Sequence, residues 1–410
     1  MVTYPRDWDV VELGLKCNIT SSKRVFEREW KKTGIPFLRT RDIASFHSKE
    51  VQKDKLYISE ETYQGKIASS GEPHKGDLLV TGVGTIGLPY LIDTDDRIYF
   101  KDGNILWMKK SDAFYPQWLY LQFLSKEMQR QITDGSGFTT VGTFTIKNAK
   151  RLRVPMPSIS EQTAVAKALS TFDTYIDDLA ELIEKKRGIR DGALEDLIHH
   201  RTRIDGFNDE WTTVSFNQVI TPKARIGWQG LKKHEYLRSG YSYLIGGTDF
   251  SHGTVSLDNI WYVSKDRYDM DVNIQVSQND VLVTKDGTIG KVALVPELGK
   301  PATLNSGVFV FRTNNRLLPT FLFRVLSSSV FREFIDTLSA GSTIKHLYQK
   351  DLKNFEFEIP VDKKEQEAIA DTLTAMDEEV EALEIERDKM IQIREGAMDD
   401  LLTGRVRLSV

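Results

Sequence analysis

Shifted by 204 residues, the chain falls on itself. Residues 161–204 align with 365–408 without a gap, with 16 identities in 44 positions. Most other apolar positions are conservative, as where Val165 meets Ile369 and Ile176 meets Val380. A shift of 203 lays DLLVTGVGTIG (77–87) on DVLVTKDGTIG (280–290), Trp8 on Trp211, YPQWLY (115–120) on LPTFLF (318–323) and LRVPMP (152–157) on FEFEIP (355–360). An internal repeat of this length dictates that whatever fold the first half takes, the second half takes again. The expected division is a first module over 1–157, a first spacer over 158–205, a second module over 206–360 and a second spacer over 361–410.

The spacers read as helices. Val165, Leu169, Phe172, Ile176, Leu179 and Ile183 alternate at spacings of four and three, and Ile369, Leu373, Met376, Val380 and Leu383 repeat the pattern. A 3.5-residue apolar period is the coiled-coil signature. Ser160 is the expected N-cap of the first helix. About 40 residues at 1.5 Å each give a rod of roughly 60 Å. A duplicated chain folds like a two-fold dimer with its halves fused, and helices paired about a perpendicular two-fold run antiparallel.

The modules read as mixed α/β. DLLVT, RIYF and ILWMK, with DVLVT, KVALV and GVFVFR in the second copy, have strand composition between Gly and Asn punctuation. PQWLYLQFLSKEMQRQI and PTFLFRVLSSSVFREFI each read as one helix with Pro near its start. The fold class is therefore α/β (mixed α+β), with two homologous domains separated by two long helices that form an antiparallel coiled coil. GVGTIG at 82–87 matches a dinucleotide fingerprint, but Leu88-Pro89-Tyr90 starts no helix to receive a pyrophosphate, and the second copy has Lys285 at the first glycine. A tight turn is expected instead, with Gly84, Gly87, Gly287 and Gly290 at unusual backbone angles.

Net charge is −4, yet it is partitioned: +5 over 1–157, −3 over 158–205, +1 over 206–360 and −7 over 361–410. Separate segments with separate charge point to separate partners. Cys17 is the only cysteine, so no internal disulfide and no cysteine-based zinc site is possible. No apolar run of 18 residues occurs, and the N-terminus carries charge where a signal peptide would be apolar, so a cytoplasmic protein without a membrane span is expected. No P-loop, HExxH or GxSxG motif is present. His199 and His200 are adjacent and point about 100° apart on a helix, which suits neither a shared metal nor a catalytic pair. No catalytic residue and no metal ligand is expected.

Both modules carry loops of one composition, basic with Gly, Ser, Thr and aromatic residues. In the first, the candidate contacts are Lys23, Arg24, Arg39, Arg41, Ser136, Thr139, Thr140, Thr143 and Lys147. In the second they are Lys223, Arg225, Trp228, Lys232, Lys233, Thr248, Lys285, Ser342, Thr343, Lys345 and His346. Arginine can bond two acceptors on a guanine edge, while Lys, Ser and Thr suit phosphates. On loop composition alone, an ordinary solvated surface stays open. So do a coiled-coil scaffold with two protein-binding modules and an enzyme with an unrecognised site.

With its repeat, LLTGRVRL at 401–408, EQEAIA at 365–370, the paired GDLLVTGVGTIG and NDVLVTKDGTIG, and GSTIKHL at 341–347, the chain resembles the specificity subunits of type I restriction–modification systems over its whole length. It departs from the pattern at His199-His200, where the second spacer has Thr403-Gly404. The resemblance implies that each module is a target-recognition domain reading one half of a split, asymmetric site on double-stranded DNA. It implies that the spacers set the distance between halves and dock two methyltransferase (modification) subunits, through residues such as Arg190, Asp196, Leu197, Arg394, Asp400 and Leu401. Motor–nuclease (restriction) subunits would join that core. The subunit itself would be non-catalytic and hold no cofactor, with S-adenosylmethionine, ATP and Mg on the partners only.

Overall fold

A computed structural model describes residues 2–48, 54–135, 142–339 and 346–409, the side chains of Trp228 and Ser339 excepted. The chain divides into two compact units: Met1–Ala180 with Ile385–Val410, and Glu181–Glu384. Each unit holds one module and part of each long helix, Ile159–Ile198 and Lys363–Thr403. Among the described residues, no helix is long and apolar enough to cross a membrane.

In the first unit the module's ends are tied by an antiparallel pair, Asp9–Glu12 with Arg153–Met156. One four-stranded sheet runs in the order Ile19–Thr20, Ile105–Met108, Leu78–Thr81, Pro89–Leu91, and a second in the order Trp30–Lys31, Tyr57–Ile58, Ile35–Leu38, Tyr99–Phe100. Leu78–Thr81 and Ile105–Met108 are buried at every residue, which is why they read as continuous apolar runs rather than alternating ones. The core takes Trp118, Phe123 and Met128 from the module, Val165 and Leu169 from the start of the first long helix, and Met398, Leu401 and Leu402 from the end of the second. Cys17 lies in this core, where its thiol donates to the Lys109 carbonyl at 3.1 Å. Burial, and then the charge of Asp77, push the thiol up to about 12. The thiolate is the reactive form, so a thiol reagent at pH 8 should label no site in the native chain and one after denaturation. Rapid native labelling would show that this core opens.

The second unit repeats the plan. Trp211–Ser215 pairs with Glu356–Pro360, and its core takes Leu197 and Ile198 from the end of the first long helix with Ile369 and Leu373 from the start of the second. A four-stranded sheet runs Trp261–Val263, Ser242–Ile245, Ala302–Leu304, Gln275–Val276. The other sheet has six strands, Ile220–Ala224, Val308–Thr313, Val281–Thr284, Val292–Leu294, Thr254–Val255, Phe250–Ser251. The extra hairpin turns on His252 and Gly253, with φ of 49° and 76°, the doubly positive turn whose twist matches its strands. At the corresponding place the first module forms the helix Thr40–Ser48.

Within each unit the long helices run antiparallel. In the first, Arg394 donates to Asp173 at 2.9 Å and Tyr175 to Glu386 at 2.5 Å. In the second, Arg190 donates to Asp377 at 2.7 Å and Lys186 lies 2.6 Å from Glu379. Arg190–Asp377 and Arg394–Asp173 are the same pair in the two copies. Three local expectations are corrected. Ser158, not Ser160, caps the first long helix, accepting from the Glu161 amide at 3.3 Å. Each module's single expected helix is two, Pro116–Leu124 and Lys126–Gly135, then Pro319–Ser327 and Ser329–Ser339. The break falls at Ser125 and Ser328, whose backbones are extended and whose hydroxyls accept amides of the following turn, the usual capping role of serine.

The departure at the first spacer's end also has a physical account. His200 adopts φ of 40° where Gly404 adopts 71°. A side chain at Gly404 would strike Pro5 and crowd Trp8, so glycine is required there. His200 instead stacks on Trp211 at 4.9 Å and bonds Glu358 at 2.8 Å, which offsets the strain of a left-handed non-glycine residue.

Candidate nucleic-acid interface

The repeated motif builds one turn twice. Thr81 Oγ1 donates to the Thr85 carbonyl at 2.5 Å and accepts from the Leu88 amide at 2.9 Å, while its carbonyl accepts from Gly87 at 2.8 Å. Thr284 makes the same bonds with Thr288, Lys291 and Gly290. Gly84, Gly87, Gly287 and Gly290 have φ of 75°, 81°, 74° and 81°, as the tight-turn reading requires. Nothing lies within 4 Å of where a Cβ on Gly84 or Gly287 would sit, so the tip of each turn is open.

Three further segments meet each turn. In the first module Gly82 donates to the Asn104 carbonyl at 2.7 Å and accepts from Phe144 at 2.9 Å, and Ser21 accepts from Gly103 at 3.0 Å. In the second, Lys285 donates to Gly307 at 2.9 Å and accepts from Leu347 at 2.8 Å, and Tyr236 bonds Asn305 at 3.3 Å. A carboxylate closes a small loop in each copy: Asp42 accepts from the Arg39 amide and Asp249 from the Gly246 amide, both at 2.8 Å. RTRD and GGTD therefore take one shape, with Arg41 and Thr248 at the same place and both exposed.

The cations that the sequence groups together divide by environment. Lys23, Arg24, Lys232 and Lys233 are exposed on these loops, as is Thr143, while Lys147 is exposed on the helix Ile146–Lys150 and Lys223 is half-buried in the strand Ile220–Ala224. Arg41 is 59% exposed, and among the described residues its ion pairs to Asp42 and Asp54 are both long, at 3.9 Å. The Lys232-Lys233 loop is held by Glu235, which accepts from the Lys232 amide and the Arg267 guanidinium at 2.7 Å. The Arg267 hydrogen bond, then the amide, hold that carboxyl down at about 2. The anchor is therefore charged above the ordinary carboxylate range and fails only as acid approaches the lowered value.

Other candidates are corrected. Arg225 is 4% exposed and spends its guanidinium on the Leu304 and Gln229 carbonyls. Arg39 is a strut: only 12% of its side chain is exposed, clasped by Asp42 and by the Asp54 carbonyl. Lys285 and His346 share Asp286, at 3.1 and 2.6 Å, so both are engaged within the module. Ser136, Thr139, Thr140, Ser342, Thr343 and Lys345 lie outside the described residues, as does the side chain of Trp228.

Of the helix candidates, the two leucines turn inward, the two arginines are engaged across the helix pair, and Asp196 and Asp400 keep side chains 47% and 39% accessible. Leu197 and Leu401 are 7% and 6% exposed, each in its own unit's core. Arg190 and Arg394 hold the opposite helix through Asp377 and Asp173. Asp196 and Asp400 pair with Arg201 and Arg405 in the turn after each helix. Ile189 and Ile393, one residue before each arginine, are instead 59% and 43% exposed. Gly192 and Gly396, three residues further on, face open space, with nothing within 4 Å of where a Cβ would sit. The signal was in the repeat: IRDGA at 189–193 and IREGA at 393–397 keep an apolar residue and a helix-weakening glycine in both copies.

A model of the family described as type I restriction modification DNA specificity domain matches residues 5–186 and again 208–392. The type I restriction enzyme MjaVIII specificity subunit of Methanocaldococcus jannaschii is 23% identical, over 98% of this chain and 94% of its own. The crystal structure of a type I restriction–modification S subunit from M. genitalium is similar in fold, with a TM-score of 0.57 at 15% identity over 96% of both chains. The HsdS subunit from Thermoanaerobacter tengcongensis gives 0.52 at 16% over 98% of both.

Proposed function

The chain belongs to the type I restriction–modification specificity family, and from that premise we propose that it reads a bipartite, asymmetric DNA site, one half per module. Residues 1–157 and 206–360 act as the two recognition domains, and the helical spacers carry the partners. The observation that carries this reading is one framework dressed with different side chains. Arg41 stands where the second copy has Thr248, Arg39 where it has Gly246, and Thr143 where it has His346, around the same threonine-laced turn. Two equivalent turns with unlike contact residues suit two unlike half-sites. The chain performs no catalysis in this reading. S-adenosylmethionine, ATP and Mg would be held by methyltransferase and motor–nuclease partners.

The test is selection from random duplex DNA with this chain co-expressed with its neighbouring methyltransferase. Two different short motifs at a fixed gap are expected, with binding that weakens steeply as salt rises, because phosphate contacts release counterions. A single motif would limit reading to one module. No enrichment by a folded complex would overturn the proposal in favour of a protein scaffold.

For partner docking, the exposed Ile189 and Ile393 replace the buried Leu197 and Leu401, beside the accessible Asp196 and Asp400. Burying an aspartate carboxylate at a partner contact is costly without a counter-charge. Ile189→Asp and Ile393→Asp should therefore each remove one of two methyltransferase copies, read by native mass measurement of the co-purified complex. Retention of both copies in both variants would place the docking face elsewhere.

A further inference from the structure

We infer that Arg238 reads a guanine edge in the second half-site, with the ring of Trp261 as its support. The inference rests on the DNA-reading function proposed above and assigns one specificity contact to a residue outside the loops that composition singles out.

The frame is local backbone. Leu237 and Tyr262 exchange two amide bonds, both at 2.9 Å. The residues on either side of a strand position leave on the opposite face from it, so Tyr236 and Arg238 stand together. Trp261 meets both. Its ring meets Tyr236 edge to face, with centres 6.0 Å apart, and the Arg238 guanidinium lies over it, 3.9 Å from its centre. Arg238 is exposed, and among the described residues it has no ion pair and no hydrogen bond. Its donors are therefore available, while the ring restrains the head that carries them.

This row of side chains begins at the threonine-laced turn. Tyr236 donates to Asn305 Oδ1 at 3.3 Å. The Asn305 side chain lies 3.7 Å from where a Cβ on Gly246 would sit, in the small loop that presents Thr248. Two residues after Asn305, Gly307 accepts from the Lys285 amide of the turn at 2.9 Å. Asn305 is a bracket and not a reader. Its Oδ1 accepts from Tyr236 and from the Ser306 amide at 2.8 Å, which spends the acceptor that a two-bond adenine contact needs. Arg238 is the far end of the row and its unspent member.

The chemistry of that end selects the ligand. An indole face attracts a guanidinium, and a guanidinium already held loses less freedom when it bonds. Two acceptors on the guanine edge match its paired donors. A lone exposed arginine is ordinary surface. Arg238 differs in having a ring beneath it, no carboxylate beside it, and a continuous link to the turn.

The first copy keeps the frame without the equipment. Glu29 accepts from the Phe26 amide as Glu235 does from Lys232, each at 2.7 Å. Lys31 lies opposite Tyr57 as Leu237 lies opposite Tyr262. Lys32 therefore takes the place of Arg238, and Leu56 that of Trp261. A lysine cannot present the planar fork of an arginine, so the contact belongs to the second half-site alone.

The experiment uses the full chain with its methyltransferase partner on the selected duplex. Affinity is measured for duplexes changed one base pair at a time, over a range of salt. Arg238→Ala should lower discrimination at one G·C pair of the second half roughly 5- to 150-fold and leave every position of the first half unchanged. Arg238→Lys keeps the charge, and so the salt slope, yet should lose the same discrimination. Trp261→Leu, which installs the first copy's residue, should lose part of it with the guanidinium still present, as a positioning residue would. The Arg238 variants lie on the surface and should melt close to wild type. If wild type selects no duplex, the DNA-reading function itself fails. If it selects two motifs and the Arg238 variants discriminate as wild type does, the assignment to Arg238 alone is overturned. Uniform weakening by Arg238→Ala over all sequences, with a shallower salt slope, would make it a phosphate contact. Loss of the methyltransferase with the motif unchanged would make it a protein contact. Either result overturns base reading.

Discussion

Glu365→Ala should destabilise the second unit by about 3 kcal/mol. The Glu365 side chain is fully buried, yet it accepts three hydrogen bonds from Arg203, at 2.7, 2.9 and 3.0 Å, and one from Trp211 Nε1 at 3.3 Å. Removing the carboxylate takes the acceptor from the Trp211 indole N–H and leaves the Arg203 guanidinium, 29% exposed, with the Asp209 carbonyl, and breaking such a pair costs more than the pair contributed. The first unit has the same lock. Glu161 accepts from Trp8 Nε1 at 3.2 Å and from Arg407 at 2.9 Å. Arg407 also reaches Asp7 at 3.0 Å and is 41% exposed, so it keeps a partner and water, and Glu161→Ala should cost less. Urea titration of each variant measures this. A loss under about 1 kcal/mol for Glu365→Ala, or a larger loss for Glu161→Ala, would show that the lock does not hold the unit.

Arg41→Ala should relax base discrimination at one half-site by about 1–3 kcal/mol, roughly 5- to 150-fold, and leave the other half untouched. Its guanidinium is free enough to pair with a guanine edge, and its counterpart Thr248 cannot make that bidentate contact. Competition binding with duplexes changed at single positions would read the effect. Equal loss at both halves would break the one-module, one-half assignment. Arg39→Ala should behave differently, lowering stability along with binding, because Arg39 is held by Asp42 and the Asp54 carbonyl. The sequence-level expectation that Arg39 and Arg41 are equivalent contacts is therefore split by structure. The companion expectation for Lys345 lies outside the described residues.

The fold was legible wherever the signal is local or repeated. The apolar period of the spacers is the register in which they pack, since a helix face is set by spacing alone. The threonine-laced turn was readable from its glycines, because few other residues tolerate those backbone angles. The identity of the family followed from the order of these parts, which the repeat displays twice.

Amino-acid type could not tell which of several alike residues would face outward. Arg225, Arg39 and Arg41 all sit in basic loops, yet one is buried, one is clasped and one is exposed. Their fates depend on Leu304, Asp54 and other groups distant along the chain, and a burial set by such contacts leaves no periodic trace. Leu197 and Leu401 continue the helical apolar series into the module cores, while Ile189 and Ile393 stand outside it, exposed. The sequence by itself determined the two-fold repeat, the helices and the turn, because each is encoded by spacing within a few residues. The tertiary structure alone decided which side chains remain available to DNA or a partner, because exposure is what is left after every long-range contact has been made.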